Sequence, residues 1–239
     1  MLDLPLSPVP AEWDRDFETL VSDPWLREKL NRQRRIAQQL AYLTAHATPE
    51  FRIADSRPKG QVVIDLGCGP GELLEIARYY GYEIYGVDAA AGNGGMGDAY
   101  LQAASLLCSR QDIPTYRWGF APWVRSSFPG LYKGHAALIN ARGSWEQMHA
   151  DWMYGEPHHV HHRADLMRWK IDGTLASAMM QEFRVLHNCL HPDGCLLIHC
   201  NRAANHDEFE PLMLEAAEVV GLKLVKQDQG LYKWRTSCS

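Results

Sequence analysis

Three glycines alternate in the stretch IDLGCGPGE: Gly67, Gly69 and Gly71, with Asp65 two residues before the first and Glu72 directly after the third. Alternating glycines let a backbone approach a bound molecule closely and take dihedral angles closed to other residues. The chemistry then turns on the flanking charges. A pyrophosphate is drawn to the free N–H groups and positive dipole end of a helix N-terminus, and two carboxylates there would repel it. They suit a ligand that carries an ammonium or a sulfonium. The spacing points the same way, because a G-x-G-x-x-G turn needs glycine at position 72, where Glu72 stands. A further carboxylate, Asp88, ends the stretch YGVD, where it can accept hydrogen bonds from both hydroxyls of a ribose. Dinucleotide and sulfonium sites share that feature, so Asp88 alone does not choose between them. Capping or turn-making is the plain alternative for both aspartates.

These groups converge only if the loop joins a strand to a helix. QVVIDLG reads as the short apolar run of a strand buried in a parallel sheet. ELLEIARYYG reads as a helix ending on glycine, and YEIYGVD as a second strand. The alternation continues with AYLQAASLLCSRQ as helix, PTYRWGF and HAALINA as strands, and TLASAMMQEFRVLHNCL as helix. HPDG then reads as a turn, CLLIHCN as a strand, FEPLMLEAAEVVG as a helix, and LKLVKQD and GLYKWRT as two last strands. Strands alternating with helices predict a mostly parallel sheet with helices on both faces. The final pair, separated by QG, can close as an antiparallel hairpin. From about residue 10 to 58 the chain reads as amphipathic helix, with Leu26, Leu30, Ile36, Leu40 and Leu43 at helical spacing and Asp23-Pro24 as a start. Arg32, Arg34 and Arg35 are expected on a solvated face. The organisation predicted is an N-terminal helical cap at 1–58 and a domain at 59–239 with an insertion at about 142–172.

S-adenosylmethionine carries both an ammonium and a sulfonium. At this point the chain resembles the class I S-adenosylmethionine-dependent methyltransferases. IDLGCGPGE is similar to their D-x-G-x-G-x-G loop, YGVD to the acidic end of their second strand, and HAALINARGSWEQMH to their fourth-strand motif. LHPDGCLLIHCN is similar to their strand-five turn, usually L-x-P-G-G. The resemblance runs from about residue 60 to 235 and implies an α/β fold with a seven-stranded, mostly parallel sheet and a reversed C-terminal hairpin. It also implies S-adenosylmethionine as cofactor and S-adenosylhomocysteine as product. Asp65, Gly67, Gly69 and Gly71 would surround the methionine end, with Cys68 in the same set; Asp88 would bind the ribose, with Ala89 beside it. Asn140 would lie next to the cofactor and face the acceptor. Many members place an acidic residue after strand three, whereas RWGFAPW stands here. Trp118 or Phe120 could stack on the adenine, with Gly119 in that stretch, or both rings could be core aromatics. The glycine-rich AAGNGGMGD after Asp88 is either a cofactor-side loop or a wide turn.

Methyl transfer is an in-line displacement, so the protein must align a nucleophile, exclude water and sometimes remove a proton. The insertion past strand four lies where ligands bind in open α/β sheets, and it is longer than an ordinary connection. Trp145, Trp152 and Trp169 could wall an aromatic or cationic acceptor, or glue the insertion to the core. EPHHVHH gathers His158, His159, His161 and His162, with Glu156 and Asp165 nearby. Three readings stay open for it. A metal site needs three or four converging ligands, yet adjacent histidines in an extended segment point to opposite faces, and no metal is assigned. An imidazole could serve as general base or orient the acceptor. A surface or structural loop is the third. The catalytic candidates are His158, His161 and Glu146; the acceptor-side candidates are Trp145, His149, Trp152, Tyr154, His159 and His162.

The remaining features bound the partners. The 239 residues fit one domain and a small cap. A formal net charge of −5 argues against non-specific nucleic-acid binding, and NARG stands where the amino-methylating DNA enzymes carry a D-P-P-Y-like tetrapeptide. A small-molecule acceptor is the expectation. No apolar run is long enough for a membrane span, and the start lacks a secretory pattern, so the expected location is the cytoplasm. Six scattered cysteines without a C-x-x-C pair fit free thiols in a reducing compartment. The N-terminal helices read either as a lid over the cofactor or as a homodimer contact. Two rivals remain: an NAD-dependent oxidoreductase, and a non-catalytic module that keeps the fold as a scaffold.

Overall fold

Every side chain of Val62–Leu66 (β1) is buried, a pattern open to a strand covered on both faces. The structure is a computed structural model and describes residues 32–48, 51, 60–87, 115–116, 127–142, 174–199, 206–228 and 230–237. Glu83–Val87 (β2) lies parallel to β1, and Thr115–Tyr116 (β3) parallel to β2 beyond it. On the other side come Ala136–Arg142 (β4) and Leu190–His199 (β5), both parallel. Leu222–Asp228 (β6) and Leu231–Thr236 (β7) form an antiparallel hairpin, and β7 runs antiparallel to β5. The order is β3-β2-β1-β4-β5-β7-β6, a mixed α/β sheet. The described helices are Arg32–His46 (α1), Glu72–Tyr79 (α2), Phe128–Leu131 (α3), Thr174–Cys189 (α4) and His206–Val219 (α5).

Alternation along β1 divides the core between two faces. Val62, Ile64 and Leu66 pack with Met179, Phe183 and Leu186 of α4 and with Met213, Ala216 and Ala217 of α5. Val63 joins Ile36 and Leu43 of α1, Phe51, and Leu73, Leu74 and Ala77 of α2. α1 therefore shares one apolar face with α2 and the sheet. Among the described residues no helix is long and apolar enough to cross a membrane.

Two local readings change. HPDG is not a turn ahead of β5 but an extrusion within it: Ala136 pairs with Leu190 and Leu138 with Cys195, so the intervening residues of β5 bulge out. The Asp193 N–H donates to His191 Nδ1 at 3.1 Å within this bulge. Gly194 is needed there, because a Cβ at this position would stand 2.3 Å from the Ala136 carbonyl oxygen. The strand read over PTYRWGF is described only at Thr115–Tyr116, and the helix read over residues 99–111 lies outside the described residues. The short α3, with Pro129 near its start, stands ahead of β4 where the sequence carries no helical period.

Candidate functional site

β1 delivers the chain to the glycine loop. Gly67, Gly69 and Gly71 have φ of 83°, 51° and 85°, the left-handed region where a side chain costs roughly 1–2 kcal/mol. The loop is tied back to the end of β2: the N–H groups of Gly67 and Cys68 both donate to the Val87 carbonyl, at 2.6 and 3.1 Å. Gly71 N–H donates to Cys68 O at 3.0 Å, and Gly71 then caps α2. Asp88 is the next residue after this doubly used carbonyl. Glu72 and Glu75 occupy the first turn of α2, where the helix dipole favours negative charge.

Asp65 and Asn140 are register partners across β1 and β4, 5% and 2% exposed. Asn140 Nδ2 donates to Asp65 Oδ1 at 2.7 Å. The Tyr42 hydroxyl, from α1, donates to Asn140 Oδ1 at 3.0 Å. One buried carboxylate thus stands at the foot of the glycine loop, hydrogen-bonded to an amide that is itself held from the other side.

Arg35 departs from the solvated-face expectation. Its side chain is 22% exposed and grips Glu72, itself 5% exposed: Nε donates to Oε1 at 2.5 Å and Nη2 to Oε2 at 3.2 Å. The negative charge expected from Glu72 on the ligand side is therefore countered by a guanidinium. The case against a bound pyrophosphate now stands on Asp65 and on the glycine spacing. Arg34, by contrast, is exposed.

Of the cysteines, Cys68 is buried in the loop. Burial pushes the Cys189 and Cys195 thiols up to about 12, so they stay protonated and unreactive. Tyr42 belongs to no motif in the sequence, and Arg35 reads there only as a solvated residue. A faint signal exists: they lie seven apart on one helix, beside the buried Ile36 and Leu43, so they share the face that packs on the sheet. The sequence-predicted residues Asp65, Gly67, Cys68, Gly69, Gly71 and Asn140 fall within one turn-and-strand-end region. Asp88, Ala89, Trp118, Gly119, Trp145, Glu146, His149, Trp152, Tyr154, His158, His159, His161 and His162 lie outside the described residues. Among the described residues no group of three or more His, Cys, Asp or Glu side chains could hold a metal ion.

Residues 30–220 match the family model of the methyltransferase domain. No curated protein sequence matches the chain. Among solved structures, a SAM-dependent methyltransferase from Archaeoglobus fulgidus is 15% identical, over 84% of this chain and 75% of that one, with a TM-score of 0.46. A TehB-like SAM-dependent methyltransferase from Corynebacterium glutamicum is 19% identical, over 87% of this chain and 99% of that one, with a TM-score of 0.44. A ribosomal protein L11 methylase from Lactobacillus delbrueckii subsp. bulgaricus is 14% identical, over 80% and 76% of the two chains, with a TM-score of 0.42. At such scores the weight falls on the family match.

Proposed function

The chain belongs to the methyltransferase-domain family, and on that premise we propose that it moves a methyl group from S-adenosylmethionine to an oxygen or nitrogen of a small-molecule acceptor. The observation that carries the cofactor half is the buried Asp65 carboxylate, held by Asn140, at the foot of a loop whose alternate residues are left-handed glycines. The group fits these residues: a loop free of side chains at alternate positions admits a close ligand, and a carboxylate favours one with positive charge. The sheet order, with its reversed last hairpin, supports the same reading.

S-adenosylmethionine supplies a methyl group already activated by its sulfonium. In this reading Asp65, Gly67, Cys68, Gly69 and Gly71 hold the methionine end, Asp88 and Ala89 the ribose, and Trp118 and Gly119 the adenine side. Asn140 stands between cofactor and acceptor. Trp145, His149, Trp152, Tyr154, His159 and His162 form the acceptor wall. An amine acceptor needs only its neutral lone pair. A phenol or alcohol needs a proton acceptor in reach, and His158, His161 and Glu146 are the groups proposed for that. The N-terminal region, 1–58, is proposed as the cap, with Arg35 and Tyr42 as its footholds on Glu72 and Asn140. The net charge of −5 supports a small acceptor over a nucleic acid.

The test is calorimetric titration with S-adenosylmethionine, S-adenosylhomocysteine and NADH, followed by labelled methyl transfer to panels of small phenols, alcohols and amines beside RNA and protein. Binding of the two sulfur compounds without NADH, and label on small molecules, is the expected result. Binding of NADH alone would overturn the cofactor half; label on macromolecules alone would overturn the acceptor half.

A further inference from the structure

We propose that Tyr42 is a positioning residue of the cofactor site, acting through the Asn140 amide on the Asp65 carboxylate. The inference rests on the reading of Asp65 as a cofactor-binding group. Three observations carry it. Tyr42 stands on α1, 98 positions from Asn140, and its hydroxyl donates to Asn140 Oδ1 at 3.0 Å. Asn140 Nδ2 donates to Asp65 Oδ1 at 2.7 Å. Asn140 and Asp65 are almost fully buried, so water is a poor substitute for either partner.

An amide end has one accepting and one donating atom, nearly equal in shape. A carboxylate needs the donating atom turned towards it. A hydroxyl that donates to the oxygen holds the amide in that same orientation, and the dipoles then run one way, from phenol to amide to carboxylate. Hydrogen bonds in such a chain polarise one another, so the phenol strengthens the bond that orients Asp65. Tyr42 touches neither cofactor nor acceptor in this account. It fixes where the carboxylate oxygens stand before the ligand arrives, which reduces the ordering that binding must supply.

The experiment is Tyr42→Phe, which removes one oxygen and keeps the ring, alone and combined with Asn140→Ala. The dissociation constant for S-adenosylhomocysteine is read by calorimetry, the melting temperature on the same samples, and solvent exchange of the Asn140 side-chain amide by nitrogen-15 NMR. Tyr42→Phe should weaken binding about three- to tenfold, the size of one hydrogen bond, and should speed exchange of the Asn140 amide protons. In the Asn140→Ala background the same change should do nothing further. A packing role alone would lower the melting temperature in both backgrounds and leave the amide exchange as it was. Equal affinity and equal exchange in wild type and Tyr42→Phe overturn the relay. A wild-type protein that binds no S-adenosylhomocysteine overturns the cofactor reading instead, and the role of Tyr42 in it. Unaltered exchange in Tyr42→Phe removes the relay whether or not the double variant folds.

Discussion

Glu182 is fully buried on α4, beside Phe183, whose ring meets Trp234 edge-on at 5.7 Å. Burial pushes its carboxyl well above the usual carboxylate range, because ionisation would set an anion where water cannot hydrate it. In the unfolded chain the same carboxyl ionises from about pH 4.5 upward, while the folded one keeps its proton to higher pH. The stability this gives is present in full below that value and drains away as pH rises towards the folded one. Glu182→Gln keeps the size and abolishes the titration. Thermal melts should coincide near about pH 4 and diverge in favour of the variant towards neutrality, by roughly 1–3 kcal/mol. Coincident curves at every pH would mean that the carboxylate is ionised and well compensated in the fold. Neither Glu182 nor Tyr42 stands out in the sequence, since each looks like an ordinary member of an amphipathic helix. Asp65 and the glycines do stand out, because the loop's demands on the backbone are local: each left-handed φ is met by a glycine at its own position.

Elements were legible wherever their period was clean. β1, β2, α4 and the β6–β7 hairpin stand close to where the apolar runs put them. HPDG misled because its turn chemistry is real but sits inside a paired strand, a fact decided by the neighbouring Ala136 and Leu138 of β4. The charged face of α1 misled for a similar reason: the partner of Arg35 lies 37 positions further on, at the start of α2. That pair fastens two helices that the motif alone treats as unrelated. Breaking it from one side leaves a nearly buried carboxylate without its guanidinium, so Arg35→Met should destabilise the protein by about 1–3 kcal/mol, at the low end because Arg35 is partly exposed. Adding Glu72→Gln removes the stranded charge and should recover most of that loss. Urea unfolding of the two singles and the double reads the coupling directly, and purely additive losses would show that the pair is screened by solvent.

The end of α1 and the β6–β7 hairpin meet across most of the chain's length. Lys226 on β6 donates to His46 Nδ1 at 3.2 Å across 180 residues, and Lys233 on β7 donates to the Thr48 carbonyl at 3.1 Å across 185. The first bond needs a neutral imidazole, since an ammonium can only donate. Through Arg35 bound to Glu72 of α2 and Tyr42 bound to Asn140 of β4, together with these two lysines, α1 and the residues just after it are fastened to the glycine-loop helix, the sheet centre and the sheet edge. Its Ile36 and Leu43, with Ala47 and Phe51 after it, are buried against Val63, Leu74 and Tyr82, and the Phe51 ring stacks on Tyr82 at 4.8 Å. Burying each large apolar side chain is worth about 1.5–3 kcal/mol, against a total stability on the order of 5–15 kcal/mol for a typical domain. A lid that only covers a ligand could be cut away and leave a folded domain behind. Here the cut would remove Ile36, Leu43, Ala47 and Phe51 from one face of the sheet and leave α2 alone of the described helices in that cluster. A fragment of residues 59–239 should therefore lack a cooperative melt and bind hydrophobic dye, while a fragment beginning at residue 30, where the family match begins, should melt as one unit. Near-ultraviolet circular dichroism and thermal scans on both fragments decide it. A sharp melt from 59–239, with cofactor binding reduced but present, would make the whole N-terminal region a detachable cap and would move Arg35 and Tyr42 from the core of the fold to its cover.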